Sequence, residues 1–302
     1  MGLFGRLFLP LIAVLAAAGI WLAAEHERDT VFAVAGRDET APGAHSPAAG
    51  PVRPDPSQPV TQSPERPARE RFARAFDKSD ARPRVAVIVT GLGLARDTTF
   101  RAIEETAPEV TLAFSPYADN LAPLVDRARE RGHEILLAAP MEPADVRRRD
   151  AGPAALTVNH SESATRRRLN WMLGRVPSHV GIIGDLGDRF ARDAVAMRPV
   201  FDEIAAKGLL YIENRLEMPE PGSLRSDVPA AAVTVWLDRD LSGDAVDREI
   251  AAAEAQARSG GSVVALARPY PLTLARIAAW MKTFDGKSLV AAPVSAVVKG
   301  GL

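Results

Sequence analysis

Cysteine is absent from the 302 residues of this chain. Disulfides, thiolate zinc sites and a cysteine nucleophile are therefore excluded, and the redox compartment is left open. Only five histidines are present. Aromatic residues make up 6% of the chain, no basic stripe interleaves with them, and the formal net charge is −1. Nothing in that balance points to nucleic acid. GxSxG, HExxH and a Ser-His-Asp spacing are also missing. Thr90-Gly91-Leu92-Gly93 looks like the start of a dinucleotide loop, but the third glycine of GxGxxG would fall at Arg96.

What is present begins with an uncharged apolar run at 7–24, LFLPLIAVLAAAGIWLAA. As a helix rising ~1.5 Å per residue it would be about 27 Å long, close to the thickness of a bilayer core. Arg6 precedes it and Glu25, Glu27 and Asp29 follow, so the positive-inside rule exports the rest of the chain. A cleaved secretory signal is the competing reading, and it exports the chain equally. Residues 25–83 read as a linker, because prolines 42, 47, 51, 54, 56, 59, 64 and 67 interrupt any helix or strand. As a flexible coil it would reach roughly 40 Å. The stretch 68–76, ARERFARAF, reads as a solvated charge run or a short basic helix.

From Arg84 onward, short apolar runs alternate with helical patterns. Buried strands are expected at 85–89, 110–114, 134–138, 180–183, 209–212, 232–236, 262–266 and 289–291. Helices are expected at 98–106, 119–131, 161–175, 193–207, 244–258 and 272–285, the third opening on Ser161 with Glu162 in its first turn. Alternation of this kind implies a parallel sheet, and its length suits an α/β fold of the distorted (β/α)7-8 TIM-like barrel type. A doubly wound open sheet is the alternative. The domains are then a membrane anchor or signal at 1–24, the proline-rich linker at 25–83 and a globular domain at 84–302.

In a barrel of parallel strands the chemistry belongs to the loops after the strand ends. Those loops carry Glu142, Asp185, Asp188, Glu213, Arg215, Asp238 and Arg268, and no histidine. His26 and His45 lie in the tail, His160 and His179 precede a helix and a strand, and His133 precedes the third strand at the opposite end. A histidine-ligated metal is not expected.

Several stretches carry a family likeness. They are VIVTGLGL at 87–94, VTLAFSPYA at 110–118, GHEILL at 132–137, PMEP at 140–143, AMRPV at 196–200 and Pro269-Tyr270-Pro271. Across about 85–298 the chain resembles the divergent polysaccharide deacetylases, relatives of the NodB-type carbohydrate esterases. The resemblance implies a distorted barrel, a role in carbohydrate metabolism, and a divalent metal that activates water against an acetyl group. It also exposes departures. Thr90-Gly91 stands where the family carries Asp-Asp, Ala138 where it often has histidine, and Arg268 where a histidine precedes Pro-Tyr-Pro. Neither alanine nor a guanidinium binds a metal ion.

Two readings follow. In the first, the domain is a pseudoenzyme that needs no cofactor and binds envelope polysaccharide or a periplasmic protein. Arg215 and Arg268 would hold a carboxylate, Tyr117 and Tyr270 would stack on a sugar, and Arg268 would pair with Glu142, Asp185 or Asp238. In the second, Glu142, Asp185, Glu213 and Asp238 form an atypical catalytic site, holding a divalent metal that removes acetyl groups from a periplasmic polysaccharide. Both place a single-pass protein in a bacterial inner membrane, with the C-terminal domain in the periplasm and no nucleic-acid partner.

Overall fold

The computed structural model describes residues 66–214 and 228–299. The apolar run at 7–24, the linker up to 65 and Arg215 lie outside the described residues. No helix among those described is long and apolar enough to cross a membrane.

Nine strands form one sheet: β1 (Arg84–Leu92), β2 (Thr111–Phe114), β3 (Ile135–Met141), β4 (Gly181–Leu186), β5 (Leu210–Glu213), β6 (Ala230–Ala232), β7 (Val235–Trp236), β8 (Ser262–Ala267) and β9 (Val290–Ala291). Their order is β6-β5-β4-β3-β2-β1-β8-β7, with β9 also on β1, and every strand pairing is parallel. Among the described residues seven helices accompany them: α1 (Ala68–Arg71), α2 (Arg96–Glu105), α3 (Leu121–Glu130), α4 (Glu162–Arg175), α5 (Ala194–Ala206), α6 (Gly243–Gly260) and α7 (Pro271–Met281). The strands and helices read from the alternating pattern are all here, with ends shifted by a few residues. The Ser161 hydroxyl accepts the Ala164 N–H at 3.3 Å and starts α4.

The sheet is curled. β6 and β7 are two pieces of one extended segment. The Val233 N–H donates to the Glu213 carbonyl (2.8 Å), toward β5, and the next N–H, of Thr234, donates to the Val264 carbonyl (3.0 Å), toward β8. Within two residues the segment passes from one edge of the sheet to the other. The result is a barrel-like α/β fold of parallel strands.

Alternation along the strands sorts the core into two layers. Val85, Val87 and Val89 of β1 pack with Leu112, Phe114 and helix residues such as Ile103, Val125 and Ile204. Their neighbours Ala86 and Ile88 face inward with Ala113, Leu136, Ala138, Ile183, Ile212 and Leu266. Small inward residues suit the narrow interior of a curled sheet. Val294 plugs the end where the strands begin, its N–H donating to the Thr111 hydroxyl (3.2 Å). Beside it Ser295 binds the buried Glu134 carboxylate through its N–H (3.1 Å) and its hydroxyl (2.5 Å).

Residues 66–83, read from composition as the end of the linker, lie on the domain. Arg74 and Arg82 of this stretch find fixed acceptors. Arg74 donates its backbone N–H to Glu134 (2.9 Å) and its guanidinium to Glu109 (2.7 Å) and the Gly132 carbonyl (3.1 Å). Arg129 holds the Phe72 carbonyl at 2.7 Å, and 68–71 form the single turn of α1. Proline content marks where a chain cannot continue a helix; it does not say whether neighbouring arginines will find carbonyls to bind.

Candidate functional site

Strand register assembles the site. Trp236 of β7 pairs with Leu266 of β8, so two residues further on Asp238 lies beside Arg268. The Arg268 backbone N–H donates to Asp238 Oδ2 at 2.7 Å. The Trp236 indole N–H donates to Asn214 Oδ1 (3.1 Å), and the Asn214 amide donates to the Gly184 carbonyl (3.0 Å). The ring is thereby tied to β5 and β4. The guanidinium carbons of Arg239 and Arg268 lie 5.6 and 5.7 Å from its centroid. An aromatic plate with two exposed cations is thus fixed at the strand-end mouth.

Two carboxyls share that mouth. Burial raises the pKa of Asp185 above the ordinary aspartate value, against the opposing pull of the Leu186 N–H and the Arg268 charge. Burial also raises Asp238, against the Arg268 N–H and the same Arg268 charge. Arg268 is therefore the cation that both carboxyls feel. Leu186, directly after Asp185, is left-handed (φ 59°), and Gly187 follows at φ 77°. Non-glycine residues rarely adopt this conformation. Glu213 is buried and accepts the Tyr211 hydroxyl at 3.2 Å.

The remaining residues singled out from sequence are placed elsewhere. Glu142 is buried in a loop clamp: Oε1 accepts from Arg189 Nη1 (2.8 Å) and Oε2 from the Val158 N–H (2.8 Å). Its partner is Arg189 and not Arg268. Asp188 pairs with Arg149 at 2.7 Å. Tyr117 turns sideways, donating its hydroxyl to the Ala151 carbonyl (2.8 Å) and accepting the Ala154 N–H (3.0 Å). Tyr270 is exposed and precedes α7. His133 lies buried between the carbonyls of Val110 and Ile103, at 2.8 and 3.1 Å. His179 bonds the Val176 carbonyl, and the His160 ring faces the Thr157 N–H. Trp236, Asn214 and Arg239 were not singled out from sequence. The available signal was parity: Trp236, Asp238 and Arg268 alternate onto the same mouth once the strands are paired.

Among the described residues no group of three or more His, Asp or Glu is placed to hold a metal ion. The family model for divergent polysaccharide deacetylases matches residues 87–298. The chain belongs to that family. A curated relative, an uncharacterized protein of Haemophilus influenzae, is 24% identical over 210 residues, covering 68% of this chain and 73% of its own length. A solved structure, an uncharacterized protein from Agrobacterium tumefaciens C58, superposes with TM-score 0.72 at 28% identity, over 77% of this chain and 95% of that one. The family match covers the elements of the mouth, from within β1 through Pro271.

Proposed function

We propose that this divergent polysaccharide deacetylase is a pseudoenzyme whose strand-end mouth binds a carboxylate-bearing envelope glycan. The observation that carries this reading is Arg268. Its cation acts on both Asp185 and Asp238 and lies against Trp236, at the position where the family resemblance calls for a histidine ligand. A guanidinium repels a divalent ion and accepts no coordination bond, so the described donor set does not fit the family's metal. It does fit an acidic sugar. Arg268 and Arg239 would pair with a carboxylate and Trp236 would lie against the apolar face of the ring. The apolar run at 7–24 would tether the domain to the periplasmic face of the inner membrane, with the linker giving reach.

The test is titration of the full-length protein with oligogalacturonate, beside a neutral cello-oligosaccharide of equal length. Binding of the acidic chain that weakens at least tenfold, about 1.4 kcal/mol, in Arg268→Ala supports the reading. Equal affinity for both sugars, unaffected by Arg268→Ala, overturns it.

A second reading keeps hydrolysis. It rests on the raised pKa values of Asp185 and Asp238, since a carboxyl tuned toward neutrality suits general acid–base chemistry. Acetate released from acetylated glycans by the wild type, and abolished in Asp185→Asn, would establish it.

A further inference from the structure

A second groove opens on the same face, between α4 and the loops that follow β2 and β3. It measures about 650 Å³ and is lined by Tyr117, Asp119, Arg167, Arg168, Trp171 and Arg175, among others. Its floor is aromatic. The Tyr117 and Trp171 rings stand 6.4 Å apart at 47°, and Trp171 is 46% exposed, high for so large an apolar ring.

The floor is held rigid. Tyr117 is fixed at its hydroxyl by Ala151 and Ala154, and only glycine fits beneath it: Gly152 has φ 82°, and a Cβ there would lie 2.7 Å from the ring. Arg175 stacks over Trp171 at 5.9 Å while donating to the carbonyls of Pro116 (3.2 Å) and Ala118 (2.8 Å), which locks α4 to the loop after β2. Arg168 is anchored to the Pro153 carbonyl. Arg167 is different: it is exposed and makes no hydrogen bond or ion pair among the described residues. Three arginines against Asp119 leave the rim positive.

We infer that this groove is a second sugar subsite, taking an acidic pyranose with its ring on Trp171 and its carboxylate on Arg167. A preorganised aromatic plate with an unspent guanidinium is the combination that binds a flat, partly apolar anion. The loop that fixes Tyr117 at Ala151 and Ala154 runs on to Leu156, which bridges Met141 of β3, and Pro140 and Met141 pair with Asp185 and Leu186 of β4, so the groove and the mouth are neighbours. One acidic polysaccharide chain would cross both. This rests on the glycan reading of the mouth, but the groove has its own readout.

The experiment titrates the full-length protein with oligogalacturonates of increasing length, in wild type, Trp171→Ala, Arg167→Ala and Arg268→Ala. Arg167 is exposed and unpaired, Trp171→Phe keeps the plate and the Arg175 stack, and a thermal melt of each variant shows that the fold is retained. Expected is a rise in affinity with chain length in the wild type. Trp171→Ala and Arg167→Ala should each lower the affinity for long chains about tenfold and leave the shortest binders unchanged, with Trp171→Phe partly restoring it. If both groove variants bind long chains like the wild type while Arg268→Ala weakens them, the groove inference fails and the mouth stands. If the groove variants weaken binding and Arg268→Ala does not, the groove stands and the reading of the mouth fails. If no oligogalacturonate binds the wild type, both fail; an acidic peptide that does bind, dependent on Trp171, would make this a protein-docking groove.

Discussion

The Arg268 backbone N–H donates to Asp238 at 2.7 Å, so the cation at the mouth is joined through its own main chain to one of the two carboxyls that feel its charge. Asp238 and Asp185 therefore compete with any acidic ligand for Arg268. Both carry pKa values raised by burial. As the pH falls toward the carboxylate range they protonate earlier than ordinary aspartates and free the arginine. Affinity for oligogalacturonate should rise over that window, for as long as the ligand stays ionised. Asp238→Asn keeps an acceptor for the Arg268 N–H but removes the charge. That variant should bind more tightly than wild type at neutral pH, with a flatter pH profile, as isothermal titration would show.

Glu142 separates the two functional readings. It is buried, yet its carboxylate is spent on Arg189 and on the Val158 N–H, and its backbone carbonyl accepts from the N–H groups of Arg189 and Phe190. As a loop clamp, Glu142→Ala should lose about 1–3 kcal/mol of stability, because the half-buried Val158 N–H and Arg189 both lose their acceptor. For a domain of this size that is about 2–12 °C in Tm. Arg189 is half exposed, so Arg189→Ala should cost about 1 kcal/mol or less. Loss of acetate release in Glu142→Gln without a change in Tm would instead point to catalysis.

The strands were legible because the Val-, Ile- and Ala-rich runs of β1, β3 and β8 are buried on both faces and bounded by glycine, proline or charge. Asp185, Asp238 and Arg268 were legible for a related reason: a polar residue directly after such a run must stand at the strand end. Glu142 looks the same in one dimension. What sets it apart is the fold of residues 156–158 and 189–190 over it, which no local pattern records. Trp236 read as the last apolar residue of a strand. Its place at the mouth depends on a hydrogen-bond relay through Asn214 to Gly184, across three strands far apart in sequence.

Glu134 closes the other end of the sheet. It is almost fully buried and takes hydrogen bonds from Arg74 and Ser295, with burial the stronger influence, so its pKa is raised. An acid whose folded pKa exceeds its unfolded value contributes stability that is fully present below the unfolded pKa and is lost as pH rises through the folded one. Part of the domain's stability should therefore fall as pH rises from about 4.5. Glu134→Ala should erase that dependence, with a loss of about 3 kcal/mol at low pH, where three donors lose their acceptor, that shrinks as the pH rises. Urea unfolding at a series of pH values reads both effects.

The strap formed by 66–83 shares that carboxylate. A chain beginning at Arg84 loses the Arg74 contacts to Glu134, Glu109 and Gly132, and the Arg82 ion pair to Asp285 (2.9 Å). It should unfold at lower urea than a chain beginning at Gln62. Arg74→Ala in the longer chain should account for only part of the difference, because its backbone N–H still reaches Glu134.

Gly91 and Gly187 have the same backbone angle, φ 77°, and different surroundings. A Cβ on Gly91 meets nothing within 4 Å, whereas on Gly187 it would lie 2.9 Å from the Cβ of Met141, a buried residue of β3. Gly91→Ala should therefore cost only the left-handed strain, about 1 kcal/mol. Gly187→Ala adds overpacking against β3 and should cost about 2–4 kcal/mol in total. Gly187 also ends the turn that carries Asp185, so relief of the clash must shift that turn. Glycan affinity should then change in Gly187→Ala and hold in Gly91→Ala, even at temperatures where both remain folded. Equal loss of stability in the two variants would mean that Met141 yields without disturbing β3, and that the mouth tolerates movement of Asp185.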